Sequence, residues 1–391
     1  MPMITTTADL AAVVSAFRQE PYITVDTEFL RDKTYYPQLC LVQLGGKDRA
    51  VAVDPLAEGI DLGPLYELMA DPAVLKVFHA ARQDLEIFVL ATGTVPAPLF
   101  DTQIAAMVCG FGDQASYETL ASRLAKATID KSSRFTDWSA RPLTERQVAY
   151  ALSDVTHLRV VYEKLAKRLE RSGRASWLED ELAILRDTAT YRVEPENAWL
   201  RLKPRSTNPR FLKALRELAA WREVEAQKRN LPRTRMLKDE ALLEVAAMLP
   251  QSPGDLSRAR ALTKGIVEGS VGEQLVDAVR RGLALPDSIL PPLVEKEDSP
   301  AGRGPLIELL KVLLKLVCEK HEVAQKLVAS SADLEAIASD SAADVPALSG
   351  WRREIFGNDA LALKSGRLAL TAEGNAIRIV RLSGEPEATP E

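Results

Sequence analysis

Asp26 and Glu28 stand two residues apart in Ile23-Thr-Val-Asp-Thr-Glu-Phe29, and Asp154 stands four residues after Tyr150 in Tyr-Ala-Leu-Ser-Asp. A further carboxylate, Asp84, follows the apolar stretch Val77-Phe-His-Ala-Ala-Arg-Gln-Asp84. Strand residues two apart share a face, and helix residues four apart share one. Asp26 is therefore paired with Glu28, and Tyr150 with Asp154, while Val25 and Thr27 point away. Asp84 falls in the first turn of a helix behind a buried strand. Four converging carboxylates repel one another unless cations sit among them, which points to a divalent-metal site. Two such ions roughly 3.5–4 Å apart activate a water and stabilise the leaving oxygen in phosphodiester cleavage. Mg²⁺ or Mn²⁺ suits an all-carboxylate set. In that chemistry Asp26 bridges two ions, and Glu28 and Asp154 complete the site of the nucleophilic water. Asp84 supports the second ion, directly or through water. Tyr150, a phenol with an ordinary pKa near ~10, orients the water rather than removing its proton. Each motif alone is common on protein surfaces, and Asp84 alone reads equally as a residue stabilised by the helix dipole. The joint pattern carries the reading.

Positioning these groups requires strands in a hairpin-linked set followed by alternating strands and helices. Tyr22–Phe29, Gln38–Leu44 and Ala50–Val53 read as strands, the last two joined by the turn Gly45-Gly-Lys-Asp48. Helix Leu62–Met69, strand Val74–Phe78, helix Arg82–Leu90 and strand Leu99–Phe100 follow. Helices at 117–126 and 144–170 complete a unit over residues 1–170. The pattern implies an α/β domain, a mixed sheet with flanking helices. Beyond residue 171 the strand signal disappears. Trp177–Val193, Pro209–Arg229, Lys238–Met248 and 269–283 read as helices, and a further helical block extends to about residue 382. The expected division is a helical linker at 171–207, all-α modules at 208–288 and 303–382, and a disordered tail at 383–391. Glu223-Val-Glu-Ala-Gln-Lys228 resembles Glu322-Val-Ala-Gln-Lys326, and 238–246 resembles 332–338, which suggests two copies of one module.

Composition narrows the partners. The chain has 391 residues, 46% hydrophobic and 27% charged, with a net charge of −5, ordinary for a globular protein of two or three domains. No apolar run reaches the ~18 residues of a membrane span, and no secretory signal is visible. Cys40, Cys109 and Cys318 fit neither a zinc nor a disulfide spacing. A cytoplasmic location, no membrane contact and no obligate protein partner are expected. Residues 201–238 hold 12 basic and 3 acidic residues, a local excess that favours phosphates unless it is a solvated helix face.

The three acidic segments resemble the three motifs of DEDD-superfamily exonucleases, in the subgroup with tyrosine in the third motif, and more closely the ribonuclease D family. Tyr35-Tyr-Pro-Gln-Leu-Cys-Leu-Val-Gln-Leu44, Phe78-His-Ala80, Phe100-Asp-Thr-Gln103 and Asp137-Trp-Ser-Ala-Arg-Pro-Leu143 extend the likeness over most of residues 20–165. The helical modules resemble the HRDC module that this family shares with RecQ-type helicases, the second copy more divergent. The resemblance implies a ribonuclease-H-like fold and a metal-dependent 3′→5′ exoribonuclease. Such an enzyme releases 5′-monophosphates, typically in tRNA 3′ maturation. Its partners would be tRNA precursors and other small structured RNAs with single-stranded 3′ ends. A DNA 3′→5′ exonuclease and a catalytically inactive RNA-binding scaffold are the alternatives.

Other residues are candidates for holding the nucleic acid. His79 could meet the scissile phosphate, or be a packed histidine. Phe29 and Leu30 could wedge against the terminal base, or belong to the core. Arg134, Trp138 and Arg141 could guide the single-stranded end. Arg229, Arg233, Arg235 and Lys238 could contact RNA further away, and Trp221 reads as core. Asp101 reads first as a helix N-cap and second as a metal ligand.

Overall fold

The computed structural model describes residues 3–130, 136–204, 206–290 and 303–382. Arg134 and the tail 383–391 lie outside the described residues. The first unit runs β1 (Met3–Ile4), α1 (Thr7–Phe17), β2 (Tyr22–Leu30), β3 (Gln38–Gly45), β4 (Ala50–Val53), α2 (Gly63–Ala70), β5 (Leu75–Phe78), α3 (Arg82–Thr92), β6 (Leu99–Asp101), α4 (Thr102–Met107), α5 (Tyr117–Leu120) and α6 (Glu145–Ser172). The sheet order is β1-β4-β3-β2-β5-β6. β3 is antiparallel to β2 and β4, whereas β1–β4, β2–β5 and β5–β6 are parallel.

The period-2 pattern of β2 decides what each face of the sheet becomes. Ile23 and Val25 join Val42, Leu44, Val51 and Val53 in one apolar core with residues of α1, α2 and α3. Thr24, Asp26 and Glu28 face the other way, toward α6. Helix α6 begins in a capping box, with Thr144 and Gln147 each satisfying the other's backbone N–H. It crosses the sheet most closely at Gly45, where a Cβ would lie 2.3 Å from Thr24 Oγ1 and 3.1 Å from the Val155 carbonyl oxygen. The Thr24 hydroxyl donates to that carbonyl at 2.8 Å, so helix and strand are tied directly behind Asp26.

The rest of the chain forms two helical blocks. Helix α7 (Glu179–Arg186) is followed by α8 (Pro209–Arg229), α9 (Arg233–Met236), α10 (Asp239–Met248), α11 (Lys264–Val267) and α12 (Ser270–Ala284), whose apolar faces close around Leu215, Leu218, Leu242 and Val279. The second block contains α13 (Arg303–His321), α14 (Gln325–Val328), α15 (Ser331–Ser339), α16 (Gly350–Arg352) and α17 (Asn358–Lys364). It is not all-α. It ends in an antiparallel hairpin of β7 (Leu368–Glu373) and β8 (Ala376–Arg381). Those strands are largely exposed, so no alternating buried face marks them in the sequence. Trp177–Val193 is not one helix but α7 between two short 3₁₀ turns. The 171–207 stretch is more than a linker. Leu178 and Leu182 pack with the second block, Leu185 and Tyr191 with the sheet core, and Ala198 and Trp199 with the first helical block.

Candidate active site

Three of the carboxylates meet where β2 passes under α6. Asp26, Glu28 and Asp154 each offer an oxygen within 4.8 Å of the others. Asp26 and Glu28 project from β2 because they are two residues apart. The register between β2 and β3 slips after Glu28, where Glu28 faces Leu41 and Phe29 faces Leu39. Cys40 is the extra residue of this bulge. Asp154 descends from α6, and the Tyr150 hydroxyl, one turn earlier, donates to its carboxylate. Tyr150 is in turn stacked on Trp138, ring centroids 6.2 Å apart and planes 27° apart.

Burial pushes all three of these groups toward the protonated form, and neighbouring carboxylates add to it at Asp26 and Glu28. Asp26 is raised well above the carboxylate range by desolvation and by Asp154. Glu28 is raised to about 9 by desolvation, then by Asp26, Asp154 and Asp84. Asp154 is raised to about 7 by desolvation, with the Tyr150 hydrogen bond opposing. A buried cluster of hard oxygen donors that resists ionisation on its own fits a divalent cation. Asp26, Glu28 and Asp154 are the residues that would hold it.

Asp84 does not complete this trio. It is 7% exposed and accepts a hydrogen bond from the Thr27 hydroxyl. Thr27 alternates to the face opposite Asp26, where α3 packs, so Asp84 approaches from the far side of the strand. It stays close enough for the Asp26 charge to raise its pKa.

A cavity of about 230 Å³ opens beside the trio, lined by Asp26, His79, Tyr117, Tyr150 and Asp154. Tyr117 carries no acidic-motif signal and was not anticipated. Its hydroxyl donates to the carbonyls of Ser153 (3.1 Å) and Asp154 (2.6 Å), which fixes the turn of α6 that bears Asp154. Its position beside Asp154 follows only from tertiary packing.

The remaining candidates divide. Asp101 is the N-cap expected of it, accepting from Gln103 and Ile104 N–H and also from Ala80 and Ala81 N–H, so its oxygens are taken. Arg141 is not available to guide nucleic acid. It forms two hydrogen bonds with Asp54 and donates to the carbonyls of Trp138, Ala140 and Cys40. The last of these satisfies the bulge residue of β3. Trp138 is 3% exposed, and Leu30 packs against the same cluster, so both are core. Phe29 is half-buried and belongs to no apolar cluster among the described residues. Arg233 is held by a fully buried Glu223 and lies over the Tyr35 ring at 4.6 Å, a contact between α9 and the β2–β3 loop. Arg229 and Arg235 are exposed, Arg229 paired with Glu225. Trp221 is core.

Residues 1–170 match the 3′-5′ exonuclease domain family and residues 211–279 the HRDC domain. Ribonuclease D of Granulibacter bethesdensis is 53% identical over 379 residues, covering 97% of this chain and 96% of that protein. That of Gluconacetobacter diazotrophicus is 54% identical, covering 96% of each. The chain belongs to the ribonuclease D family. The crystal structure of Escherichia coli RNase D, described as an exoribonuclease involved in structured RNA processing, superposes with a TM-score of 0.77 at 34% identity, over 93% of this chain and 98% of that one. The catalytic core of RRP6 from Trypanosoma brucei, at 23% identity and a TM-score of 0.55, shares the fold. Family membership makes the chain a 3′-5′ exoribonuclease, a hydrolase that uses divalent metal ions.

Proposed function

We propose that Asp26, Glu28, Asp84, Tyr150 and Asp154 form the catalytic centre and that two Mg²⁺ or Mn²⁺ ions serve it. The observation that carries this reading is the close approach of the oxygens of half-buried Asp26 and Glu28 and buried Asp154. Bound ions would supply charge neutralisation and a more acidic water. Asp26, Glu28 and Asp154 would hold the ions, and Asp84, held by the Thr27 hydroxyl, would support them directly or through water. Tyr150 orients the attacking water from its place at Asp154. The water oxygen bonds to phosphorus as the phosphorus–O3′ bond breaks, releasing a nucleoside 5′-monophosphate and an RNA one nucleotide shorter.

The natural substrates in this reading are tRNA precursors and other small structured RNAs with single-stranded 3′ ends. The exposed Arg229 and Arg235 meet the RNA beyond the active site. The second helical block is a divergent HRDC-like module. Its first three helices repeat the order of α8, α9 and α10, and several of their turn features recur. Asn230 and Glu322 both have positive φ, 49° and 51°. Leu231 N–H donating to Ala226 and Leu237 N–H to Arg233 recur as Val323 to Cys318 and Ala329 to Gln325. The likeness between 223–228 and 322–326 is out of this register, since Glu223 is inside α8 and Glu322 follows α13. A cytoplasmic location agrees with three buried free cysteines and with the lack of a helix long and apolar enough to cross a membrane among the described residues.

The test uses 5′-labelled RNA and matched DNA with Mg²⁺, Mn²⁺ or EDTA. Stepwise shortening of RNA, lost in EDTA and in Asp26→Ala, is expected. Shortening that persists in Asp26→Ala refutes the site, and preferential shortening of DNA refutes the substrate class.

A further inference from the structure

The imidazole of His79 has a fixed polarity. Its Nδ1 lies 3.0 Å from Thr102 Oγ1, and the Thr102 hydroxyl donates its one proton to the Phe78 carbonyl at 3.0 Å. A hydroxyl has a single proton to give, so toward the ring this oxygen can only accept. Nδ1 therefore carries a hydrogen, and in the neutral ring Nε2 is a bare acceptor. Burial favours that neutral ring, although the Asp101 carboxylate pulls the other way. The ring is braced against Tyr117, centroids 5.7 Å apart, and lines the same cavity as Asp26, Tyr150 and Asp154. Among the described residues no group bonds Nε2, yet it is not among the polar atoms sealed from solvent without a partner, so it opens on the cavity that the ring lines.

This polarity does not suit the phosphate contact that is one of the two readings of His79. Phosphate oxygens only accept hydrogen bonds, and Nε2 has no hydrogen to give them. The strong donors along an RNA backbone are its 2′-hydroxyls, and they are what separates RNA from DNA at a given position. We propose that His79 is a specificity-determining residue: its Nε2 accepts a hydrogen bond from the 2′-hydroxyl of a nucleotide held at the carboxylate site. The inference rests on the catalytic reading of that site and adds how the enzyme selects ribonucleotides there.

The test measures kcat/KM on oligoribonucleotides carrying one 2′-deoxy or one 2′-fluoro sugar at the last or the penultimate nucleotide. Fluorine keeps an acceptor and removes the donor. In the wild-type enzyme, deoxy and fluoro substitution at one of these positions should slow cleavage alike, by about 10–100-fold, the cost of leaving a half-buried acceptor unpaired. His79→Ala should bring the all-ribose substrate down to that level and make the three sugars equivalent. His79→Asn keeps a donor for Thr102 and removes Nε2. It should give the same equivalence with an unchanged melting temperature, which separates recognition from folding. Three outcomes overturn the inference while the enzyme stays active: fluoro as fast as hydroxyl, a variant that slows all sugars by one factor, or a discrimination that follows the base instead of the sugar. A wild-type protein that shortens no RNA with either metal overturns the catalytic reading as well.

Discussion

Asp26, Glu28 and Asp154 are poor anions where they stand, and this gives the site a signature in pH. Their folded pKa values lie above the ordinary carboxylate value, Asp154 at about 7 and Glu28 at about 9. Between about pH 4 and those values the folded chain holds protons that the unfolded chain has released. Metal-free stability therefore falls as pH rises through that window, and nothing is lost below it. A cation takes the place of those protons, so Mn²⁺ should raise the melting temperature more at about pH 8 than at about pH 5.5. Equal shifts at both pH values would show that these carboxyls do not hold the ion. Gln43, the register partner of Asp26 on β3, is fully buried, and neither of its amide atoms has a hydrogen-bond partner. An apolar residue of similar size removes an unsatisfied polar group, so Gln43→Leu should leave the metal-free melting temperature unchanged or raise it by the equivalent of about 1 kcal/mol. A drop of that size would mean the amide is satisfied in solution. At this scale the sequence was legible where a residue's role follows from local spacing. The pairings Asp26 with Glu28 and Tyr150 with Asp154 are of that kind, as is the Asp101 cap. The pairs that hold Arg141 to Asp54 and Arg233 to Glu223 are 87 and 10 residues apart in the chain, and no local pattern reveals them.

Helix α6 is the element on which the site depends, and its two anchors should separate on mutation. Thr144 caps its exposed start. Thr144→Ala should cost about 1 kcal/mol of stability and leave Mn²⁺ affinity unchanged, because the cap lies more than two turns from Asp154. The Tyr117 hydroxyl acts on the turn that bears Asp154. Tyr117→Phe should cost a similar amount, about 1 kcal/mol, and also weaken Mn²⁺ binding, read by calorimetry. If both variants bound Mn²⁺ as the wild type does, Tyr117 would be packing and nothing more. The helix expected at 144–170 is α6 to within two residues at either end, and Pro209–Arg229 matches α8. Strand β1 is two residues long and owes its identity to pairing with Ala52 and Val53, which no local pattern reveals. The hairpin of β7 and β8 has almost no buried face to produce an alternation. Asp84 was placed on the right helix turn, but which face of the sheet that turn reaches is set by the packing of α3.

At the scale of the molecule the two helical blocks are attached by different physics. The HRDC block meets the exonuclease domain through a polar hub. Tyr35 donates to Glu223 and accepts from Gln227 and Arg233, while the Asn230 side chain accepts from the Tyr35 and Tyr36 backbones. The apolar core of that block is its own. The second block has no such independence. Its Leu310, Leu313, Val317, Leu327 and Phe356 share one continuous core with Val77, Met107, Leu158, Leu165 and Leu178. Trp351 stacks on Trp177 with centroids 4.1 Å apart and planes 5° apart. Ala324 N–H donates to the Met107 carbonyl at 2.8 Å, and Arg174 to that of His321 at 2.6 Å. Removing this block would open a large apolar face on the exonuclease domain, and such faces associate in water. A chain ended at residue 290 should therefore melt well below the full chain and aggregate, seen by calorimetry and size-exclusion chromatography, even though every proposed catalytic residue remains. Glu223→Gln, which weakens only the polar hub, should increase hydrogen exchange at residues 31–37 and leave the elution volume of the full chain unchanged. A truncated chain that stays monomeric with an unchanged melting temperature would mean that α6 and α7 are stable without their cover, and that the second block is an appended module like the first.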